Sequence, residues 1–239
     1  MPLQGRRVVV TGGTGALGRA VVGRLLAQGA VCHIPVFDPA ELQGFPHTGH
    51  AGLHLQEGVD LTDETSVEGF YGALPDLWGS VHLAGGFDMA PIGEAGRAHF
   101  AKMFDMNALT CFLCCREAVK AIRRTPGSPD GPRGGRIVNV AARPALEPRT
   151  GGGMVAYTGS KAAVAAMTQA MAQELAGENI AVNAIAPSII DTPANRSAMP
   201  KADHAAWPKP EELAEAILAL VSSESSVTRG AIVAVYGRA

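Results

Sequence analysis

The sequence predicts a doubly wound α/β fold in which about seven parallel strands form one sheet covered by helices on both faces. Short β-branched runs alternate with helical patterns along the whole chain, and a glycine-rich turn follows the first run. Strands that are apolar throughout are typical of a parallel sheet buried on both sides. A chain of 239 residues can bury a sizeable core, so we expect residues 1–239 to form a single domain.

Periodicity places the individual elements. Apolar runs predict strands at residues 7–11, 31–37, 53–59, 80–84, 136–140, 180–186 and 231–236. Helical spacing predicts helices at residues 15–28, 62–74, 97–123, 155–176 and 211–222. The second helix begins after a cap at Thr62 or Asp63. Residues 125–135 are predicted to form a loop, and the irregular segment 187–210 is long enough to be a lid over a ligand.

Composition and charge exclude several classes of protein. Lys and Arg total 20 against 22 Asp and Glu, which lacks the basic excess of a protein that binds nucleic acid or an anionic membrane. No run approaches the roughly 18 uncharged apolar residues of a membrane span. The apolar run 8–10 is too short for the core of a secretory signal. We therefore expect a cytoplasmic protein whose partner is a small-molecule substrate.

The cysteines and the clustered histidines predict neither a disulfide framework nor a metal site. Cys111, Cys114 and Cys115 lie in an apolar helix, where cysteine behaves as a small buried hydrophobe. A zinc or redox site needs more ligands or an exposed, electropositive setting. His47, His50 and His54 straddle a loop that contains glycine, which is typical of a solvated surface.

The glycine turn that follows the first strand and opens the first helix predicts a dinucleotide site and a Rossmann-type fold. Glycine lets the backbone approach a pyrophosphate closely, and the helix N-terminus offers unpaired N–H groups to the negative charge. We therefore expect the cofactor to be NAD(H) or NADP(H). The residues of this turn predicted to hold it are Gly12, Thr14, Gly15, Ala16, Leu17 and Gly18.

The choice between NAD and NADP stays open. An acidic residue at the end of the second strand bonds the ribose and favours NAD, whereas a nearby arginine accommodates a 2′-phosphate. That position falls near Val36, and Asp38 comes two residues later. Asp38 either reaches the ribose or caps the turn before Pro39. Asp60, followed by Leu61, is the candidate for the adenine side of the pocket.

Tyr157 and Lys161 form a candidate acid–base pair. They lie four residues apart, so they share one face of a helix. A free tyrosine has a pKa of about 10, which is too high for proton transfer near neutral pH. A lysine cation held close would lower the pKa of the phenol into the working range. Such a pair can donate a proton to a carbonyl or an imine as a hydride arrives.

In chain order, several motifs resemble the short-chain dehydrogenases/reductases along nearly the whole chain. They are the glycine turn, residues 83–86, Asn107, residues 136–140, residues 157–161 and residues 183–192. The resemblance implies that Tyr157 is the general acid/base, that Lys161 lowers its pKa and holds the nicotinamide ribose, and that Asn107 orders a water in the proton relay. It implies further cofactor contacts at Ala84, Gly85, Gly86, Val140, Pro187, Ile190 and Thr192. It also implies a homodimer or homotetramer paired through the two long helices.

One position departs from the pattern of this family. A serine normally follows the asparagine of the fifth strand by three residues and polarises the substrate carbonyl. Counting from Asn139 gives Ala142, which cannot donate a hydrogen bond. Losing one such donor costs on the order of 100–1,000-fold in rate. An ordinary ketone would be reduced poorly unless a water or Thr150, the nearest hydroxyl of the loop, takes over that role.

Quinonoid dihydropteridine reductase, one branch of the family, also has alanine at this position. The chain is similar to that branch in the glycine turn, in residues 84–86 and in residues 191–207. A quinonoid dihydropterin gains aromaticity on accepting hydride, so it needs less carbonyl polarisation than a ketone. Asn107 and insertions such as 125–135 distinguish the chain from this branch. Asn195 and Trp207 either pack the loop or close over a flat substrate.

Three functions follow as hypotheses. The first is an NAD(P)H-dependent reductase of a conjugated imine or carbonyl. The second is an ordinary ketoreductase or alcohol dehydrogenase in which another group replaces the serine. The third is a non-catalytic protein that senses a dinucleotide, against which the retained Tyr157 and Lys161 argue.

Overall fold

The chain folds around one parallel sheet, as seen in a computed structural model that describes residues 3–126, 134–222 and 227–238. The middle of the predicted loop 125–135 lies outside these residues. Within them the strands are β1 (Arg7–Thr11), β2 (Val31–Val36), β3 (Leu53–Glu57), β4 (Gly79–His82), β5 (Gly135–Val140), β6 (Ile180–Pro187) and β7 (Ile232–Val235). Their order is β3-β2-β1-β4-β5-β6-β7. All neighbours pair in parallel, so the predicted sheet is confirmed.

Helices cover both faces of the sheet. Those that the structure describes are α1 (Ala16–Ala27), α2 (Glu64–Gly72), α3 (Arg97–Phe104), α4 (Thr110–Arg124), α5 (Arg143–Leu146), α6 (Val155–Glu174), α7 (Pro193–Ala198) and α8 (Pro210–Val221). Side chains of α2, α4 and α6 share one buried cluster, and those of α1 and α8 share the other. Because strand side chains alternate, Val9 packs into the first cluster while Val8 and Val10 pack into the second. None of these helices is both long and apolar enough to cross a bilayer.

The strand order creates a crevice beside β1. The chain proceeds from β1 outward to β3 and then returns to the other side of β1 as β4. The connections that leave the carboxyl ends of β1 and β4 therefore run in opposite directions. In open α/β sheets, ligands bind at such a switch point. The glycine turn and residues 83–86 both lie there.

The predicted long helix at 97–123 is interrupted. After α3, residues Asp105–Leu109 form a π-helical turn, and α4 continues from it. Asn107 lies within this turn and is buried. The apolar pattern could not reveal the π turn, because both forms of helix keep an apolar face toward the core. Such turns occur frequently at functional sites.

Short helices also occur outside the predicted strands and helices. Residues 143–151 form α5 and a 3₁₀ turn at Pro148–Gly151, and the segment 187–210 contains α7 and a 3₁₀ turn at His204–Ala206. Proline stands at the start of α5, of α7 and of the turn at 148–151, where its fixed φ favours a helix. Of the two candidate caps for α2, Asp63 is the one that acts, because its carboxylate accepts the Ser66 N–H at 2.7 Å.

Candidate active site

The glycine turn packs tightly against the end of β4. Gly12 has φ +64°, and a Cβ at this position would lie 2.8 Å from the Ala84 nitrogen. A Cβ at Gly18 would overlap the Gly12 carbonyl oxygen, so the first turn of α1 can pass over the strand only without a side chain. Gly15 caps α1, and no side chain bonds the first N–H groups of that helix. These donors are therefore available to an anion.

A cavity of about 430 Å³ opens beside this turn. Its lining includes Gly12, Thr14, Gly15, Arg19, Glu41, Ala84 and Gly85. Another hollow, of about 460 Å³, lies at the amino ends of the strands next to Arg7, Asp76 and Trp78. We assign the ligand site to the first cavity because it lies at the switch point and contains the free helix N-terminus. Its position and the free N–H groups of α1 fit the phosphate and ribose part of a dinucleotide.

Glu41 is a cavity residue that the sequence reasoning missed. Its carboxylate accepts the Thr14 hydroxyl at 2.6 Å and the Asp38 N–H at 3.1 Å. Asp38 in turn accepts the Ala40 N–H at 2.9 Å, as the turn-capping interpretation of Asp38 expects. Acidic residues at the first and fourth positions of 38–41 are typical of a capping box, and that spacing was visible in the sequence. The bond between Glu41 and Thr14 therefore connects the turn after β2 to the glycine turn.

Asp60 and Leu61 lie after β3, where the predicted adenine side would be. The Asp60 carboxylate accepts the Thr62 N–H at 2.8 Å and the Thr62 hydroxyl at 2.7 Å. Leu61 packs against the first core cluster. Both side chains therefore stabilise the start of α2, and contact with an adenine stays a prediction.

The side chain of Asn107 forms hydrogen bonds to Gly86 in the segment after β4. Its Oδ1 accepts the Gly86 N–H at 3.1 Å, and its Nδ2 donates to the carbonyl oxygens of Gly86 and Met103, both at 3.0 Å. A Cβ at Gly85 would lie 2.7 Å from Asn107 Oδ1. The π turn thus delivers an amide that holds residues 85–86 against the sheet. Because these contacts engage both ends of the amide, its implied role in ordering a water stays a prediction.

Lys161 is buried and bonds the end of β5. Its Nζ donates to the Val140 carbonyl oxygen at 2.9 Å. Burial lowers the pKa of Lys161 to about 8 and raises the pKa of Tyr157 to about 12. The latter shift is opposite to the lowering that we expected from the neighbouring lysine. The reason is that desolvation of the phenol dominates while the ammonium group is directed at Val140.

The Tyr157 ring stands against an aromatic wall. Phe87 meets it edge to face, with the ring centroids 4.9 Å apart and the planes at 88°. Phe87 is 58% exposed, and Met89 and Val155 are also exposed apolar side chains. Ala90 pairs with Met154 in a parallel bridge, which brings the Phe87 loop beside the start of α6. The surface on the Phe87 side of the Tyr157 ring is therefore apolar and suits a flat or apolar substrate.

Thr150, the expected replacement for the missing serine, bonds within its own turn. Ala142 is buried at the start of α5 and makes no side-chain cap. Thr150 is exposed, and its hydroxyl donates to the Glu147 carbonyl oxygen at 2.8 Å. Thr158 Oγ1 lacks a partner, but it is buried away from solvent and packs on Gly151. The expectation that Thr150 could serve the substrate thus finds no support in the contacts of Thr150.

The segment after β6 is held mainly by its own contacts. Pro187 ends β6, and Ile190 packs on the second core cluster. Thr192 Oγ1 accepts the Asn195 N–H at 3.2 Å, and Asn195 Nδ2 donates to the Ile190 carbonyl oxygen at 2.8 Å. Trp207 is 7% exposed and packs against His204, with the ring centroids 4.7 Å apart. These contacts are those of loop packing, and a role for Asn195 or Trp207 at the substrate stays a prediction.

Comparison with known proteins gives consistent results. A family model described as short chain dehydrogenase matches residues 6–203. Galactitol 2-dehydrogenase of Rhizobium johnstonii is 32% identical over 97% of this chain and 93% of its own length. The 3-beta-hydroxysteroid dehydrogenase of Comamonas testosteroni is 30% identical over 95% of this chain and 93% of its own.

Solved structures are similar along the whole chain. A short-chain type dehydrogenase/reductase from Mycobacterium ulcerans has a TM-score of 0.87 at 25% identity and covers 100% of this chain and 90% of its own. The short-chain dehydrogenase/reductase from Serratia marcescens has a TM-score of 0.86 at 25% identity, with 100% of both chains covered.

Proposed function

Because this chain belongs to the short-chain dehydrogenase family and is thus an NAD(P)-dependent oxidoreductase, we propose that it reduces a small conjugated imine or carbonyl. In this proposal Tyr157 is the proton donor, and the activity resembles that of dihydropteridine reductase. The observation that carries the proposal is Ala142, buried where the family pattern places a hydrogen-bonding serine.

The residues present fit a dinucleotide. The free N–H groups of α1, at Ala16 and Leu17, would hold the pyrophosphate, and the glycines at 12, 15 and 18 leave room for it. Residues 84–86 and 187–192 would flank the nicotinamide end. When bound, the nicotinamide supplies the hydride. The cavity beside Thr14 and Glu41 would take the adenosine ribose.

Tyr157 is suited to give up a proton at the substrate. The phenol is protonated at neutral pH, but burial raises its pKa to about 12, so the proton would leave only as the developing substrate anion and the Lys161 cation lower that pKa. Lys161, whose pKa is about 8, still carries its charge at neutral pH and favours the phenolate that remains after transfer. Proton delivery therefore needs no further group at the substrate.

The number of hydrogen-bond donors that face the substrate determines which class of substrate this site can reduce. A ketone that becomes an alkoxide gains from two hydrogen bonds, and in this proposal Tyr157 supplies one while Ala142 supplies none. A conjugated ring that becomes aromatic on accepting hydride spreads its charge and needs less support. The exposed Phe87 ring beside Tyr157 also suits a flat ring such as a quinonoid dihydropterin.

The relatives favour a second candidate. Their names are those of dehydrogenases of sorbitol, galactitol and a hydroxysteroid, all of which are alcohols. In an ordinary alcohol dehydrogenase on this chain, a water beside Ala142 would take the role of the serine. A dinucleotide sensor is disfavoured, because a sensor needs neither Tyr157 nor Lys161.

Initial rates separate these functions. We would measure kcat/KM for quinonoid dihydropterin, for a cyclic ketone and for galactitol oxidation, each with both nicotinamide cofactors. The proposal expects the pterin to exceed the ketone by about 100-fold or more, the size of one missing oxyanion donor. A ketone or polyol turned over as fast as the pterin establishes the second candidate, and no turnover of any compound supports the sensor.

The assembly and location proposals rest on separate observations. A homodimer or homotetramer paired through α3, α4 and α6 is supported by Phe100 and Phe112, which are exposed on α3 and α4. Light scattering of wild type and of Phe112→Glu tests it, since the variant should dissociate. A cytoplasmic location is supported by the four cysteines, which are all free and buried.

A further inference from the structure

A polar cluster that the proposed reaction does not use lies in the core behind the active site. His82 ends β4 and is paired in register with Asn139 of β5. Cys115 of α4 packs against both of these side chains, and Cys111, one turn earlier, lies beside Cys115. All four residues are buried. The sequence alone showed the cysteines as small apolar residues, because His82 and Asn139 come from separate strands.

The donor atoms of this cluster are spaced as they are around a metal ion. The sulfurs of Cys111 and Cys115 lie 4.0 Å apart, and Cys115 Sγ lies 3.3 Å from His82 Nδ1. The two sulfurs and a ring nitrogen of His82 are all within 4.8 Å of one another. Bond lengths to zinc of about 2.3 Å for sulfur and 2.0–2.1 Å for nitrogen place tetrahedral ligands roughly 3.5–3.8 Å apart. The Sγ–Sγ and Sγ–Nδ1 distances, 4.0 and 3.3 Å, lie within a few tenths of an ångström of that spacing, and a cation would draw Cys111 closer to His82.

Asn139 supplies a fourth donor atom. Its Oδ1 lies 2.8 Å from His82 Nδ1 and 3.4 Å from Cys115 Sγ. Its Nδ2 donates to Thr168 Oγ1 at 2.9 Å, and Thr168 donates onward to the Val164 carbonyl oxygen. These two hydrogen bonds fix the orientation of the Asn139 amide, so its oxygen faces the cluster.

The second nitrogen of His82 already has a partner of the kind that metal-bound histidines use. His82 Nε2 lies 2.8 Å from Ser80 Oγ, which in turn lies 2.9 Å from the Tyr71 hydroxyl. Without a metal, Nδ1–H donates to Asn139 Oδ1, and Ser80 donates to Nε2. When Nδ1 binds a cation, the proton moves to Nε2 and Ser80 accepts it. A hydrogen bond from the other ring nitrogen orients most histidine ligands.

We propose that His82, Cys111 and Cys115, with Asn139 Oδ1, form a binding site for a thiophilic divalent cation of the zinc type. Binding replaces the two thiol protons, which leave to solvent, by one cation. Two thiolates and a neutral imidazole then balance its charge, so the loaded site is neutral and compatible with burial. Asn139 directly precedes Val140, whose carbonyl accepts from Lys161, so the site adjoins the proposed catalytic pair.

Cobalt titration of the reduced full-length protein tests this site. Co²⁺ bound by thiolates in a tetrahedron gives sulfur-to-metal charge-transfer and intense visible bands, which exposed histidines such as His50 do not give. We expect one such cobalt per chain, released by Zn²⁺, with two protons released per ion in weakly buffered solution. Cys111→Ser and Cys115→Ser should each lose the bands. Cys114→Ser, a neighbouring buried cysteine whose thiol contacts Tyr71 instead, should keep them.

A second measurement needs no variant. X-ray absorption of the zinc-loaded wild type should show two sulfur ligands at about 2.3 Å and two nitrogen or oxygen ligands. The proposal is overturned by a shell without sulfur, by the absence of thiolate–cobalt bands in the wild type, or by bands that survive in Cys111→Ser and Cys115→Ser. Loss of the bands in Cys114→Ser with retention of the far-ultraviolet circular dichroism also overturns it.

Discussion

Lys161 Nζ lies 2.9 Å from the Val140 carbonyl oxygen, so the buried ammonium of α6 is bonded to the end of β5. Burial nevertheless lowers the pKa of Lys161 from 10.5 to about 8. The folded chain therefore holds this proton less tightly than the unfolded chain does. Keeping Lys161 charged in the folded protein therefore lowers the free energy of unfolding.

The first prediction concerns that cost. Between pH 8 and pH 10.5 the unfolded state binds more protons at Lys161, so the free energy of unfolding rises with pH in this window. Over this whole window the free energy of unfolding should rise by about 3 kcal/mol, the equivalent of the shift in the pKa of Lys161. Lys161→Met should be more stable than wild type at pH 7, and its advantage should shrink as the pH approaches 10.5. Urea unfolding from pH 7 to 10 measures the difference, with exposed Lys201→Met as the control. Parallel profiles would show that Lys161 is not desolvated.

Ala142→Ser restores a hydroxyl at the position where the family pattern has one. The variant should raise kcat/KM for a cyclic ketone by about 10-fold or more, part of the value of an oxyanion donor. The rate with quinonoid dihydropterin should change little. Thr150→Val is the matched control, and it should leave both rates unchanged because the Thr150 hydroxyl bonds the Glu147 carbonyl. Loss of ketone reduction in Thr150→Val would instead make Thr150 the substitute donor.

Phe87→Ala removes the ring that stands edge-on to Tyr157. An aromatic pair contributes about 0.5–1.5 kcal/mol beyond its buried area, so KM for a flat substrate should rise roughly 2- to 10-fold. Steady-state kinetics with a dihydropterin measure the change. Ile92→Ala, an exposed apolar residue further along the same loop, serves as the control. Equal effects of the two variants would mean that Phe87 does not line the substrate site.

Glu41→Gln removes the one carboxylate in the described lining of the cofactor cavity and keeps a hydrogen-bond acceptor for Thr14. The charge of Glu41 should repel a 2′-phosphate, so the wild type should bind NADH more tightly than NADPH. The variant should narrow that ratio about 5- to 10-fold, as expected for one charge pair in a partly solvated site. Calorimetric Kd values for both cofactors test this, with exposed Glu94→Gln as the control. An unchanged ratio would remove Glu41 from cofactor choice.

The sheet and the glycine turn could be predicted because local sequence determines them. Val8, Val9 and Val10 are apolar on both faces, which only a covered parallel strand requires. Gly12 and Gly18 stand where any side chain would collide with the backbone, so the turn is readable from residue types. The observed ends of these elements differ from the predicted ends by a few residues, because caps rather than apolar patterns determine where an element ends.

The rest of the site depends on contacts between distant segments. The capping box at 38–41 was readable, but its placement over Thr14 was not. The four-residue spacing predicted that Tyr157 and Lys161 share one face of a helix. Whether the pKa of Tyr157 is raised or lowered, however, depends on the burial of the phenol and on the bond from Lys161 to Val140. The π turn at Asn107 preserves the apolar pattern and is therefore invisible to it.

The most direct test of the central claim is turnover by Tyr157→Phe. The variant lacks the phenolic proton and keeps the ring that packs against Phe87, so the fold and the Kd for reduced cofactor should remain those of the wild type. We predict that kcat for dihydropterin reduction falls on the order of 100- to 10,000-fold, the range of general acid catalysis. Turnover equal to that of the wild type, with the cofactor bound normally, would contradict the role of Tyr157 as proton donor.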